Sequence, residues 1–157
     1  MRSFLEYMNV PELNLPDTSK ICIPEGATEA DSEEAFAEIE KLAGLVWEHW
    51  NLGKGPIDNL QYVLQSNGII VTGFKNVDAG IDAFSQQITI NNKEVYIITL
   101  SIGEKPIERL CFDIAHELGH ILMHSLGDDN EDLPKDEFNA REKQANIYVC
   151  QRFSSAP

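Results

Sequence analysis

Basic residues are scarce in this chain. Twelve Lys and Arg stand against 26 Asp and Glu, leaving a net charge of −14. A nucleic-acid surface needs Lys and Arg to meet phosphates, so no direct nucleic-acid binding is expected. The same balance suits a cytoplasmic protein, or one whose partner is basic. Cysteine is scarce too: Cys22, Cys111 and Cys150 are odd in number and include no C-x-x-C pair. Structural disulfides are therefore not expected, and a reducing compartment is favoured. No apolar run approaches the length of a membrane span, and Met1-Arg2-Ser3-Phe4-Leu5-Glu6 lacks the sustained apolar stretch of a secretory signal. Internal repeats and low-complexity tracts are also missing. What remains is a chain of 157 residues, 43% hydrophobic, long enough for one soluble domain with a real core.

Residues 1–32 carry Pro11, Pro16 and Pro24 with few periodic apolar positions, and are expected to form an irregular, acidic N-terminal arm or linker. Glu25 to Glu40 holds seven carboxylates and no base, the pattern of a solvated face. The folded domain is expected over 33–157. Ser32 before Glu33-Glu34 predicts a helix start, with a capping hydroxyl and acids in the first turn. Ala35, Phe36, Ile39, Ala43, Val46, Trp47 and Trp50 then keep helical spacing, with His49 an incidental histidine among them. Gly53-Lys54-Gly55 breaks that helix, and Pro56 is expected to begin a shorter one to Gln65. Strand-like patterning follows at Ile69–Phe74, Ala83–Ile90 and Glu94–Leu100, the last two joined by a turn at Asn91-Asn92-Lys93. These elements predict an α+β fold with a small, mainly antiparallel sheet of three or more strands packed with helices.

Three of the four histidines fall within nine residues, in His116-Glu117-Leu118-Gly119-His120-Ile121-Leu122-Met123-His124. On a helix, residues four apart lie roughly 40° around and about 6 Å along from one another. His116 and His120 can therefore turn two imidazole nitrogens to one metal ion, with Glu117 beside them to take a proton from water. Ile107, Leu110, Cys111, Ile114, Leu118, Ile121 and Leu122 form an apolar stripe on the same helix, and the histidines lie nearly opposite it. One side is expected to dock on the core while the other offers imidazoles. Pro106 suits the first turn and Gly127 the stop. Gly127 to Pro134 reads as an acidic loop, and Asp136 or Glu137 opens a last helix through Val149.

A catalytic zinc keeps three protein ligands and leaves a position for water. His124 is one rival for the third ligand, but on a straight helix it sits roughly 12 Å along from His116, too far for one ion. Ile121-Leu122-Met123 continues the helix, which disfavours it. The other rival is a carboxylate of the following helix, for which Glu137 and Glu142 are both candidates. Metal-bound imidazoles give their second N–H to a carboxylate or carbonyl, and Asp113 and Asn146 are candidates for that role. His124 is expected at the rim of the site, and Tyr148 or His124 could supply a donor to a developing oxyanion.

Arg109-x-x-Phe112-x-x-Ala115-His116-Glu117-Leu118-Gly119-His120-x-x-x-His124, followed by Glu142-Lys143-Gln144-Ala145-Asn146, resembles the ImmA/IrrE family of zinc metallopeptidases. Ile81-Asp82-Ala83-Phe84-Ser85 and Gly55-Pro56-Ile57 extend the likeness over about 33–153. The resemblance implies a zincin-like peptidase domain with one Zn2+ held by His116, His120 and Glu142, Mn2+ being an alternative. It implies Glu117 as general base and a peptide or protein substrate, specifically a helix-turn-helix repressor cleaved at one site. Family members often carry a helix-turn-helix domain ahead of the peptidase; residues 1–32 are too few and too acidic for one, so it is expected to be absent or in another chain. A regulatory module that keeps zinc and controls a DNA-binding partner without cutting it is the alternative.

Overall fold

The computed structural model describes residues 11–23, 32–53, 59–75, 83–103, 105–124 and 134–152. Helix α1 spans Glu33–His49, and the Ser32 hydroxyl caps it by accepting from the Ala35 N–H, as the sequence predicts. It buries Ala35, Ile39, Leu42, Ala43, Val46 and Trp47. Helix α2, Leu60–Ser66, begins where the Asn59 side chain accepts from the Tyr62 N–H. The expected start at Pro56 lies outside the described residues. Strands β1 (Ile69–Phe74), β2 (Ala83–Ile90) and β3 (Lys93–Ser101) follow, then α3 (Ile107–Met123) and α4 (Lys135–Arg152).

The sheet has the order β1-β3-β2 and is mixed. Strands β2 and β3 form an antiparallel hairpin from Ala83↔Leu100 to Ile90↔Lys93. Its two-residue turn sets Asn91 at φ 51° and Asn92 at φ 64°, left-handed conformations that asparagine tolerates and that match the twist of paired strands. Strand β1 instead runs parallel to β3, from Ile69↔Tyr96 to Phe74↔Ser101, where a mainly antiparallel sheet was expected. Strand β3 takes the centre, with Ile98 and Leu100 sealed in the core, and the chain passes from β1 to the far edge at β2 and returns between them. Strand composition carries no record of that direction.

Helix α3 lies at the middle of the helical layer, touching α4, α2 and the β2–β3 hairpin. Ile114, Leu118 and Ile121 of its apolar stripe are buried, but Ile107, at the first turn, is 70% exposed. Helix α4 packs across the side that carries the imidazoles, as a carboxylate ligand from the following helix requires. Pro106 serves as the N-cap, one position before the expected first turn. The helix stops at His124, whose backbone turns extended (φ −125°, ψ 150°), well before Gly127, which lies outside the described residues.

Residues 11–23 contain no helix or strand, yet they are tied down. Leu13, Leu15, Ile21 and Ile23 pack against the core. Asn14 donates its N–H to the Asn67 carbonyl (2.9 Å), and its own carbonyl accepts from the Trp50 indole (2.7 Å). His49, without an expected role, pairs with the Asn14 side-chain oxygen at 2.8 Å. No helix among the described residues is long and apolar enough to cross a membrane.

Gly68 joins α2 to β1 at φ +89°, and a Cβ there would lie 2.6 Å from the Leu13 backbone. Gly68→Ala is therefore expected to cost about 1–3 kcal/mol, through strain and displacement of 11–23 together. Gly103→Ala, where nothing lies within 4 Å of the added carbon, is the control. Thermal or urea unfolding checks this; equal stability of the two variants would contradict the tight approach of Leu13.

Candidate metal centre

Small residues let α4 come close to α3. Ala145 is fully buried, and a Cβ on Gly119 would stand only 3.1 Å from the Tyr148 ring. That close approach carries Glu142 to the imidazoles. Its Oε2 lies 3.0 Å from His116 Nε2 and its Oε1 2.9 Å from His120 Nε2, while the two Nε2 atoms are 3.2 Å apart. His116, His120 and Glu142 form a group of potential metal ligands converging on one point.

The distances test whether an ion fits. Four bonds of about 2.05 Å in a tetrahedron separate neighbouring ligand atoms by roughly 3.3 Å. The observed separations fall a few tenths of an ångström short, within reach of small side-chain adjustments. Both imidazoles are 12% exposed and Glu142 is 39% exposed, so the group is shielded by protein yet open on one side. Two neutral imidazoles and a carboxylate suit a divalent cation and leave a coordination position for water.

Electrostatics agree. Hydrogen bonds from His116 and then His120 hold the Glu142 carboxyl well below the ordinary carboxylate range, overcoming its burial. Burial pulls His116 down, but the hydrogen bond and charge of Glu142 outweigh it and raise the group overall. Glu117 is 7% exposed, and its burial pushes the carboxyl up against the opposing pull of His120, a Ser85 hydrogen bond and His116. A raised carboxyl beside a metal site suits a group that must take a proton and later return it. His124, lowered to about 4 chiefly by burial, is neutral at pH 7.

The remaining sequence candidates separate clearly. Asn146 shares a face with Glu142, and its Oδ1 accepts from His116 Nδ1–H at 2.9 Å. Asp113, expected as another imidazole partner, is 5% exposed and pairs with Lys105 (3.4 Å) and Arg109 (3.3 Å) near the start of α3. Its place on the helix points it to those cations, and Asn146 takes the imidazole N–H. His124 stands beside the centre without joining the ligand group, its Nδ1 2.9 Å from His120 Nδ1 and its Nε2 2.8 Å from Gln144 Oε1. Tyr148, offered as an oxyanion donor, is instead a core residue with no exposed area, wedged against Gly119. A donor to substrate must reach the open side, and this ring does not. Glu137, the other carboxylate candidate, sits exposed in the first turn of α4.

Two contributors had no expected role. Ser85 on β2 reaches Glu117, and Gln144 receives His124. Both lie within segments that carry the family likeness, but a serine on a strand or a glutamine on a polar helix gives no spacing signal by itself.

The sequence profile of the IrrE N-terminal-like domain, a peptidase family, matches residues 70–156, more than half of the chain. No curated protein and no solved structure matches it. The matched segment contains β1 from its second residue, all of β2 and β3, and both helices that build the centre. The chain belongs to the IrrE N-terminal-like domain family of peptidases.

Proposed function

We propose that the protein is a zinc-dependent endopeptidase of the cytoplasm that cleaves a helix-turn-helix repressor at a specific site. One observation carries the enzymatic part: a buried glutamate, Glu117, stands beside a two-imidazole, one-carboxylate group. A site that only held a metal for structure would not need a buried base next to it. The same residue argues against the regulatory module that binds without cutting.

His116, His120 and Glu142 would hold the ion. When bound there, zinc supplies Lewis acidity, bringing the pKa of water towards roughly 7 and polarising a carbonyl. Glu117 accepts the proton as water attacks the scissile carbonyl, then delivers it to the leaving amine. Ser85 orients the Glu117 carboxylate from β2. That strand is at an edge of the three-stranded sheet, so an extended peptide can pair along it close to the base. The repressor assignment rests on the family likeness. A net charge of −14 suits a basic, DNA-binding partner.

Glu117→Gln is expected to retain stoichiometric zinc while cleavage of a repressor falls by about 10²–10⁴-fold. His116→Ala is expected to lose both zinc and cleavage, and a chelator to stop the wild type. Metal analysis with a gel-based cleavage assay reads these outcomes; undiminished cleavage by the Gln variant removes Glu117 as the base.

Zinc must also displace the proton that His116 Nε2 shares with Glu142. Because the His116 pKa is raised, that proton is retained to higher pH, and zinc affinity should weaken progressively as the pH falls. Titration calorimetry in buffers of different ionisation enthalpy should show release on the order of one proton per ion at neutral pH. Buffer-independent heats and a flat pH dependence would contradict this competition.

A further inference from the structure

Each ligand imidazole has a second nitrogen, and what that nitrogen bonds decides which ring atom is free for a metal. For His116 the answer is direct. Asn146 Oδ1 can only accept, so His116 Nδ1 carries the proton and Nε2 turns to Glu142. For His120 the partner is another imidazole. His120 Nδ1 and His124 Nδ1 face each other at 2.9 Å, and a hydrogen bond between them uses one proton only. Which ring carries it is decided one step further out. His124 Nε2 meets Gln144 Oε1 at 2.8 Å, an oxygen that only accepts, so His124 holds its proton on Nε2. Its Nδ1 is then a bare acceptor, and the shared proton belongs to His120.

We propose that His124 and Gln144 form a positioning relay that keeps His120 in its Nδ1–H form and so leaves Nε2 as the metal-facing atom. The inference rests on the peptidase reading only for the use made of that atom. Helix α4 thus serves both ligand rings with carboxamides two residues apart, Asn146 directly and Gln144 through His124. The intermediary is needed because His120 Nδ1 is directed towards the end of α3, where the residue one turn on, His124, is in reach. There the chain leaves the helix, and the break lets His124 span His120 and Gln144 rather than continue along the rod. Gln144 is 4% exposed, so water cannot readily replace it as the acceptor.

The relay makes a prediction about proton positions that a packing role would not. The full chain, labelled with ¹⁵N-histidine, is compared by long-range ¹H–¹⁵N correlation at pH 7 before and after zinc is added. His124 is expected with its proton on Nε2 and His120 with a proton on Nδ1 in both states. A proton on His124 Nδ1, or a ring averaging between tautomers, overturns the relay. Zinc affinity, read by competition with a chromophoric chelator, should fall about 10–100-fold in Gln144→Leu and recover to near the wild-type value in Gln144→Glu, which restores an acceptor. Wild-type affinity in the Leu variant, or no recovery in the Glu variant, also overturns it. If the wild type took up no zinc, the peptidase reading would fail, while the metal-free spectrum would still decide the tautomers.

Discussion

The close packing of α4 across α3 is the constraint on which the centre depends. His116 and His120 are set by one turn of a single helix, but the carboxylate between them comes from another helix and is only as well placed as that contact. Gly119, Ala145 and the Tyr148 ring fix the approach, since extra volume at position 119 would push against the ring. Tyr148 therefore serves the site from the core, through geometry rather than chemistry. Polar contacts then complete the alignment: Glu142 with both imidazoles, Asn146 with His116, and Gln144 with His124.

Charge is arranged around that contact with little waste. Two imidazoles stabilise an ionised Glu142, while burial works against ionisation of Glu117 just beside them. Two carboxyls on neighbouring helices are thus pushed in opposite directions, Glu142 towards its charged form and Glu117 towards its neutral one, the division that the proposed roles of ligand and base require. Ser85 ties the second of them to the edge strand, so the sheet contributes to the site as well as to the core.

Much of this was legible in the sequence, because it rests on local rules. Four-residue spacing put His116 and His120 together, Ser32 marked the start of α1, and Asn91-Asn92 marked the hairpin. The Glu142–Asn146 spacing put the candidate ligand and the imidazole partner on one face. Other features depend on tertiary context. The parallel pairing of β1 with β3 depends on the path the chain takes between them, which strand composition does not record. Asp113 and Asn146 are equally plausible imidazole partners until the direction of each from the helix is known. Residues 11–23 have no periodicity because a few scattered apolar contacts and single hydrogen bonds, rather than one patterned face, hold them in place. Gln144 gave no signal because its role exists only through His124.

The most direct test is a crystal structure of the full chain loaded with zinc, with the ion located by its anomalous scattering. The account predicts one ion bonded to His116 Nε2, His120 Nε2 and a Glu142 oxygen, with bonds of about 2.0–2.2 Å and a remaining position open to water. An ion coordinated by His124 in place of Glu142, or bound elsewhere with the three side chains unengaged, would contradict it.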